Sequence, residues 1–318
     1  MQLPDNDKLN FIVGLHVNFA QVMTGGIVAL HKLAFKLAET GHNVFIFCQP
    51  EFPHENIKII KSQGNRLNHP ETDWTWETFH YPINKTISIY PQIIEGNPFN
   101  TQHVSRWILY HTEKHIEEMY GDNDVYFNFG DFKTFKSVIK RKLTVLNYYF
   151  DKLYVINNES RKGFCHLLHK NTPPNGHEIF KYFNSFDLGE WKTSGAFDYL
   201  REQLNKYEYF LTYDQKSFFT IAAVLCGCKA IILNQGASWE ENQNAFSLSE
   251  DYGKQMTSTE YRLNNPIQMF GVAYGLDDIS WANKTIGLAP DYLKELQIID
   301  DKTVKEFVEF WENKIGLS

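Results

Sequence analysis

The sequence predicts an α/β fold built on parallel sheets, and three observations carry that reading. Phe11–Leu15 is a short apolar run, Ile27, Leu30, Ala34, Leu37 and Ala38 recur at helical spacing, and Asn43–Cys48 is a second apolar run. Strand, helix and strand in that order make a β-α-β unit, whose crossover is right-handed and whose strands are parallel. The same order returns at Tyr207–Leu233, YEYFLTYDQKSFFTIAAVLCGCKAIIL. At 318 residues the chain has room for two domains, each with a core.

The elements follow in order. Gly25 and Gly26 open the first helix and Gly41 closes it, where a left-handed residue is usually needed. The two opening glycines either admit a phosphate or acceptor close to the backbone or form an ordinary turn. No G-x-G-x-x-G follows the first strand, which counts against a dinucleotide site. Residues 50–81 are polar, and Trp74 and Trp76 lie in that excursion. Thr86–Tyr90 reads as a strand, Thr101–Tyr110 as a helix, Asp124–Asn128 as a strand and Phe132–Lys142 as a helix. A boundary near residue 150 separates a first domain, 1–150, from a second, 151–300. The second reads as strand Lys152–Ile156, helix Ser160–Leu168, a strand near Asn184–Leu188 and helix Phe197–Lys206. Strand Tyr209–Tyr213 and a helix capped by Ser217 follow, ended by Gly227 before strand Ala230–Leu233. Asp277–Lys284 and Val304–Lys314 close the series as helices, the latter with Val304, Phe307, Val308 and Trp311 on one face.

A helix starting just past a strand's carboxyl end turns its positive end toward the crevice there. Ser217 and Thr220 add hydroxyls, so this is a place to hold a phosphate. Asp214 ends the preceding strand and either binds a sugar hydroxyl or caps the helix.

Composition narrows the class. Hydrophobic content of 43% and charged content of 22% are those of a globular protein. The formal net charge of −7 argues against nucleic acid as a partner. Lys133–Lys142 holds five basic residues in ten, either a solvated helix face or a contact for a lipid surface or a phosphorylated acceptor. No apolar stretch reaches the ~20 residues of a spanning helix, and the first ten residues are too polar for a signal peptide. The four cysteines fit neither a disulfide framework nor a zinc pattern, so a cytoplasmic protein with small buried thiols is expected.

Tyr213-Asp214, the hydroxyl residues and the alanine-bearing helix ending in Cys226-Gly227-Cys228 together resemble the donor-binding segment of GT-B-type nucleotide-sugar glycosyltransferases. Ile89–His111, Arg161–Lys170, Gly271–Gly275 and the N-terminal Gly25-Gly26 are similar to further stretches of one subgroup and fall in the same order. The resemblance implies two Rossmann-like domains facing each other across a cleft. It implies an acceptor domain first, a donor domain second and a terminal helix, 301–318, crossing back. It implies a nucleotide-diphosphate sugar as co-substrate with no cofactor, and a glycan, lipid-linked or protein acceptor in surface polysaccharide or glycoprotein assembly. Arg161 and Lys170 match its cationic diphosphate-binding element, with Lys162 and Lys216 as weaker candidates. Asp131 and His16, with His111, are candidate acceptor bases for their places after first-domain strands or at the end of the expected helix there. No Asp-x-Asp motif indicates a metal; Asp122-Asn123-Asp124 reads as a turn.

The sequence departs from the family at one place. In many retaining members two acids with seven residues between them bracket this helix; here Asp214 holds the first position and Ala222 the second. The second acid commonly holds the donor ribose. Retention is favoured by the resemblance, while an epimerase or phosphorylase of the same fold, or a non-catalytic glycan- or nucleotide-binding module, stays open as an alternative.

Overall fold

The computed structural model describes residues 8–15, 25–48, 58–61, 82–110, 112–130, 132, 134–135, 139–146, 148, 150–154, 160–168, 177–189, 197–214, 217–233 and 270–317. The chain divides into two compact units, Met1–Asn147 with Gln297–Ser318, and Tyr148–Leu296. Each contains one sheet, and the protein is α/β with Rossmann-like, predominantly parallel sheets.

The first unit orders its six strands β3-β2-β1-β4-β5-β6. These are β1 (Asn10–Leu15), β2 (Asn43–Cys48), β3 (Lys58–Lys61), β4 (Thr86–Pro91), β5 (His103–Ile108) and β6 (Val125–Asn128). All pairings are parallel except β2 with the edge strand β3. This is the strand order of a Rossmann sheet, in which the order of strand addition, not the strand direction, reverses between β1 and β4. Helix α1 (Gly25–Glu39) buries Ile27, Leu30, Leu33 and Leu37, and Gly41 follows at φ +89°. Phe307, Val308 and Trp311 of the last helix, α8 (Ala289–Ile315), complete the core with Phe11, Trp107 and Phe127.

The second unit orders its five strands β11-β10-β9-β7-β8, all parallel. They are β7 (Phe164–His166), β8 (Phe186–Asp187), β9 (Tyr209–Thr212), β10 (Lys229–Ile232) and β11 (Val272–Tyr274). Numbered within the unit this is 2-1-3-4-5, the other common doubly wound order, whose reversal falls between β7 and β9. The helices between them are α4 (His177–Tyr182), α5 (Phe197–Lys206), α6 (Phe218–Leu225) and α7 (Ile279–Thr285). Two short helices, α2 (Lys114–Glu117) and α3 (Phe150–Leu153), stand outside this pattern.

Four expectations are corrected. Thr101–Tyr110 is not a helix: it holds β5, a strand flanked by strands on both sides. Val104, Trp107 and Ile108 fit helical spacing, but a strand buried on both faces shows no alternation to oppose that reading. No described residue of Phe132–Lys142 is helical. That segment returns beside β6, where Asn128 N–H donates to Arg141 O at 2.9 Å and Leu143 N–H donates to Asn128 O at 3.0 Å. Lys152 belongs to α3 rather than a strand. Ser160–Leu168 holds strand β7 in place of a helix, entered through Gly163 at φ +74°. Among the described residues, no helix is long and apolar enough to cross a membrane.

Candidate functional site

The carboxyl ends of β7 and β9 flank the reversal in the second sheet, the position at which doubly wound folds bind ligands. After β9 the chain makes a tight turn in which Asp214 N–H donates to Thr212 Oγ1 at 3.0 Å. Ser217 then takes an extended conformation, φ −77° and ψ 136°, and its Oγ accepts the Phe219 N–H at 3.1 Å. Ser217, not Asp214, is therefore the cap of α6, and a β-region residue with a short hydroxyl is what a helix start requires. The helix ends as its sequence dictates. Gly227 stands at φ +77°, its N–H donates to Val224 O at 3.0 Å, and Cys228 N–H donates to Ala223 O at 2.8 Å. That pair of bonds is a Schellman motif.

Thr220 lies in the first turn of α6. It is fully buried, and its Oγ1 has no hydrogen-bond partner. It lines a crevice with Ile221, Val224, Phe270, Tyr292 and Leu293, all within the second unit. A buried hydroxyl without a partner costs about 1–3 kcal/mol. The helix start is also poorer in spare donors than its sequence suggests, because Thr220 N–H already donates to Ser217 O at 3.2 Å.

Asp214, Ser217 and Thr220 are thus brought together at one end of the sheet. Arg161 does not join them. Its guanidinium donates to Leu204 O at 2.9 Å and to Asn205 Oδ1 at 2.6 Å, at the end of α5 and close against Gly227. This is the amino edge of the sheet, where Lys162 N–H also bonds Lys206 O. The sequence suggests a strand before Arg161; the structure has β7 after it, so the residue caps a helix C-terminus instead of entering the crevice. Gly25 and Gly26 are the first residues of α1, beyond β1 in the first unit. Asp131, His16, Lys170 and His111 lie outside the described residues, as do Trp74 and Trp76. Trp107 is core: it is fully buried and its Nε1–H donates to Leu143 O at 2.7 Å.

His166 is a residue the sequence reading passes over. It ends β7, across the strand reversal from β9. Its Nδ1 is 3.0 Å from Ser185 Oγ, and its ring stacks on Phe180 at 4.0 Å. Phe180 in turn meets Tyr213 edge-on at 5.9 Å. Burial holds His166 below its ordinary pKa and pushes the Tyr213 phenol up to about 12. Both are neutral near pH 7 and can only donate or accept hydrogen bonds. The signal is present in Phe164-Cys165-His166, where a histidine closes an apolar run.

No group of three or more histidine, cysteine or acidic side chains among the described residues is arranged to hold a metal ion. No protein-family model matches the chain, and no curated protein matches it.

Proposed function

We propose that the protein is a GT-B-type glycosyltransferase that takes a sugar from a nucleotide diphosphate, without a metal, and passes it to a glycan, lipid-linked or protein acceptor. One observation carries the reading: the start of α6 lies at the strand reversal of the second sheet, with Ser217 as its cap and the buried, unpartnered Thr220 hydroxyl in its first turn. The donor diphosphate belongs there, where the helix dipole favours an anion. In the reaction the bond from the anomeric carbon to the phosphate oxygen breaks, and the nucleotide diphosphate leaves with the electron pair. An acceptor oxygen forms the new bond and gives up its proton. Charge gathers on the leaving phosphate, so positive groups placed there before the reaction lower the barrier. Lys170, which follows β7 in sequence, is the proposed counter-charge; Arg161 is tied elsewhere. Asp131, with His16, is the proposed acceptor base, and the first unit the acceptor domain. Retention of configuration is favoured by the family resemblance.

A non-catalytic module of the same architecture is the second reading, and Ala222 favours it. The residue is fully buried in the second turn of α6, and a carboxylate there would lose its solvent. Whatever holds a ribose is therefore another group.

The test is a thermal-shift screen with UDP, GDP, ADP, CMP and dTDP and their sugar conjugates, without added metal. A ligand at 100 times its dissociation constant adds about 2.7 kcal/mol. One nucleotide should raise Tm, and Thr220→Val should remove the shift. No shift with any nucleotide would overturn the donor reading. Consumption of the sugar nucleotide without an acceptor would identify an epimerase, and dependence on inorganic phosphate a phosphorylase.

A further inference from the structure

His166 is buried at the carboxyl end of β7, yet only one of its ring nitrogens is engaged. Nδ1 lies 3.0 Å from Ser185 Oγ. Among the described residues no such bond reaches Nε2, and Nε2 is not sealed from solvent.

The end of α4 builds this arrangement. That helix stops at Tyr182, and Asn184 follows at φ +47°, a region asparagine tolerates better than most side chains. Asn184 N–H donates to Lys181 O at 3.0 Å and Ser185 N–H to Phe180 O at 2.9 Å, the two bonds of a Schellman motif. The motif delivers the Ser185 hydroxyl to the imidazole, and Phe180, from the last turn of the same helix, stacks on the ring. Leu188 N–H donates to His166 O at 2.8 Å and holds the strand end itself. The imidazole is therefore oriented before any ligand arrives, at the point where ligands enter a doubly wound sheet.

Charge decides what Nε2 suits. Burial lowers the His166 pKa against Asp187 and the Phe186 carbonyl, with His177 assisting, so the ring is neutral near pH 7. Among the described residues, the carboxyl ends of β7, β8, β9 and β11 carry Asp187, Asp214, Asp277 and Asp278 and no lysine or arginine. An ionised phosphate can only accept, and beside these carboxylates it is repelled. A hydroxyl fits either tautomer, because it donates to a bare Nε2 and accepts from a protonated one.

We propose that His166, held by Ser185, is a specificity-determining residue that hydrogen-bonds a hydroxyl of the donor's sugar through Nε2. This rests on the glycosyltransferase reading and narrows it: the start of α6 takes the diphosphate, and the end of β7 reads the sugar. Ser185 acts only through the ring and is a positioning residue.

The experiment is calorimetry on the full chain with UDP, GDP and ADP, each compared with its hexose conjugates: UDP-glucose, UDP-galactose, UDP-N-acetylglucosamine, GDP-mannose and ADP-glucose. The quantity read is the affinity of the conjugate relative to that of the bare nucleotide. His166→Gln should leave the nucleotide unchanged and lower this ratio about tenfold, the worth of one hydrogen bond. Ser185→Ala should lower it by a smaller factor, and Ser185→Thr should restore it. Long-range proton–nitrogen NMR on the unsubstituted protein depends on no variant. There the His166 Nε2 resonance should move with the conjugate and stay still with the bare nucleotide, as that of a merely structural histidine would not. An unchanged ratio, or a resonance that responds alike to both, overturns this inference and leaves the donor site standing. Should no nucleotide or conjugate bind, the donor reading falls and methyl glucoside, galactoside and mannoside decide the rest. Movement of Nε2 with one of them keeps His166 as a sugar-binding residue, and no movement overturns it too.

Discussion

Arg106 donates from Nε to Asp124 Oδ2 at 2.7 Å with its side chain entirely out of solvent. Nη1 donates to Ile94 O at 2.8 Å and Nη2 to Gly96 O, while the guanidinium lies 4.3 Å from the Tyr120 ring centroid and 5.0 Å from that of Tyr90. The connection from β4 to β5 crosses back with no helix, and Arg106 supplies the donors its carbonyls would otherwise lack. Within the Ile89–His111 stretch, Gly96 and Arg106 are thus joined in a structural contact. Asp124→Ala should cost about 3–5 kcal/mol in urea unfolding, because it strands a buried cation. Arg106→Lys should also destabilise, since an ammonium cannot span the same acceptors. An unchanged unfolding midpoint in both would remove the clamp.

Lys32 of α1 and Asp300 of α8 form a second buried pair at 2.5 Å, and Asp300 Oδ1 also accepts the Leu146 N–H at 2.8 Å. Burial works against both charges, lowering the lysine pKa and raising that of the aspartate. Asp300→Asn keeps the Leu146 bond but isolates the ammonium, and should lose about 3–5 kcal/mol. Adding Lys32→Met should recover part of that loss. A double-mutant cycle with no coupling would show the pair to be inert.

The first unit should weaken on mild acidification through His42. Its Nδ1 accepts the Leu9 N–H at 3.2 Å, which fixes the neutral ring with its proton on Nε2, 3.4 Å from Glu312 Oε1. Desolvation lowers its pKa, opposed by Glu312 and assisted by Lys8. A lowered folded pKa contributes stability above the unfolded value of about 6.5, lost as pH falls through the folded value. His42→Asn keeps an acceptor for Leu9 and cannot titrate. Denaturation midpoints at pH 7.5 and 5.5 should therefore differ less in the variant than in the parent; equal differences would refute the assignment.

Gly227→Ala should destabilise the second unit by about 1–2 kcal/mol, for a left-handed φ of +77° and a Cβ only 3.0 Å from Arg161 Nη2. Thermal unfolding of that single variant, compared with Gly316→Ala, separates the two causes. Gly316 has φ +81° but open space around it. A larger loss at Gly227 measures the arginine contact, and equal losses leave backbone strain as the whole effect.

How far the sequence could be read depended on burial. The Tyr207–Leu233 segment was legible because cap, helix, Schellman glycine and strand each carry a local chemical signature at Ser217, Gly227 and Ala230. Helix Phe197–Lys206 was legible because one face is wet. β5 and β7 were not: six and three residues long, they carry no alternation where both faces are covered, and Arg106 looks like a surface residue until its partners are known. The Ser217 cap was legible from helix chemistry alone. Arg161 was misplaced because its role turned on whether a strand precedes or follows it, which depends on pairing between distant segments.

Cys165, Cys226 and Cys228 are all buried free thiols of the second unit, and burial pushes the Cys226 thiol up to about 12. A protonated thiol shut away from solvent reacts with an alkylating reagent only when its surroundings open. The three therefore form a built-in clock. Their labelling rates, followed peptide by peptide, time the opening of the second unit, and a ligand seated against α6 would slow all three together.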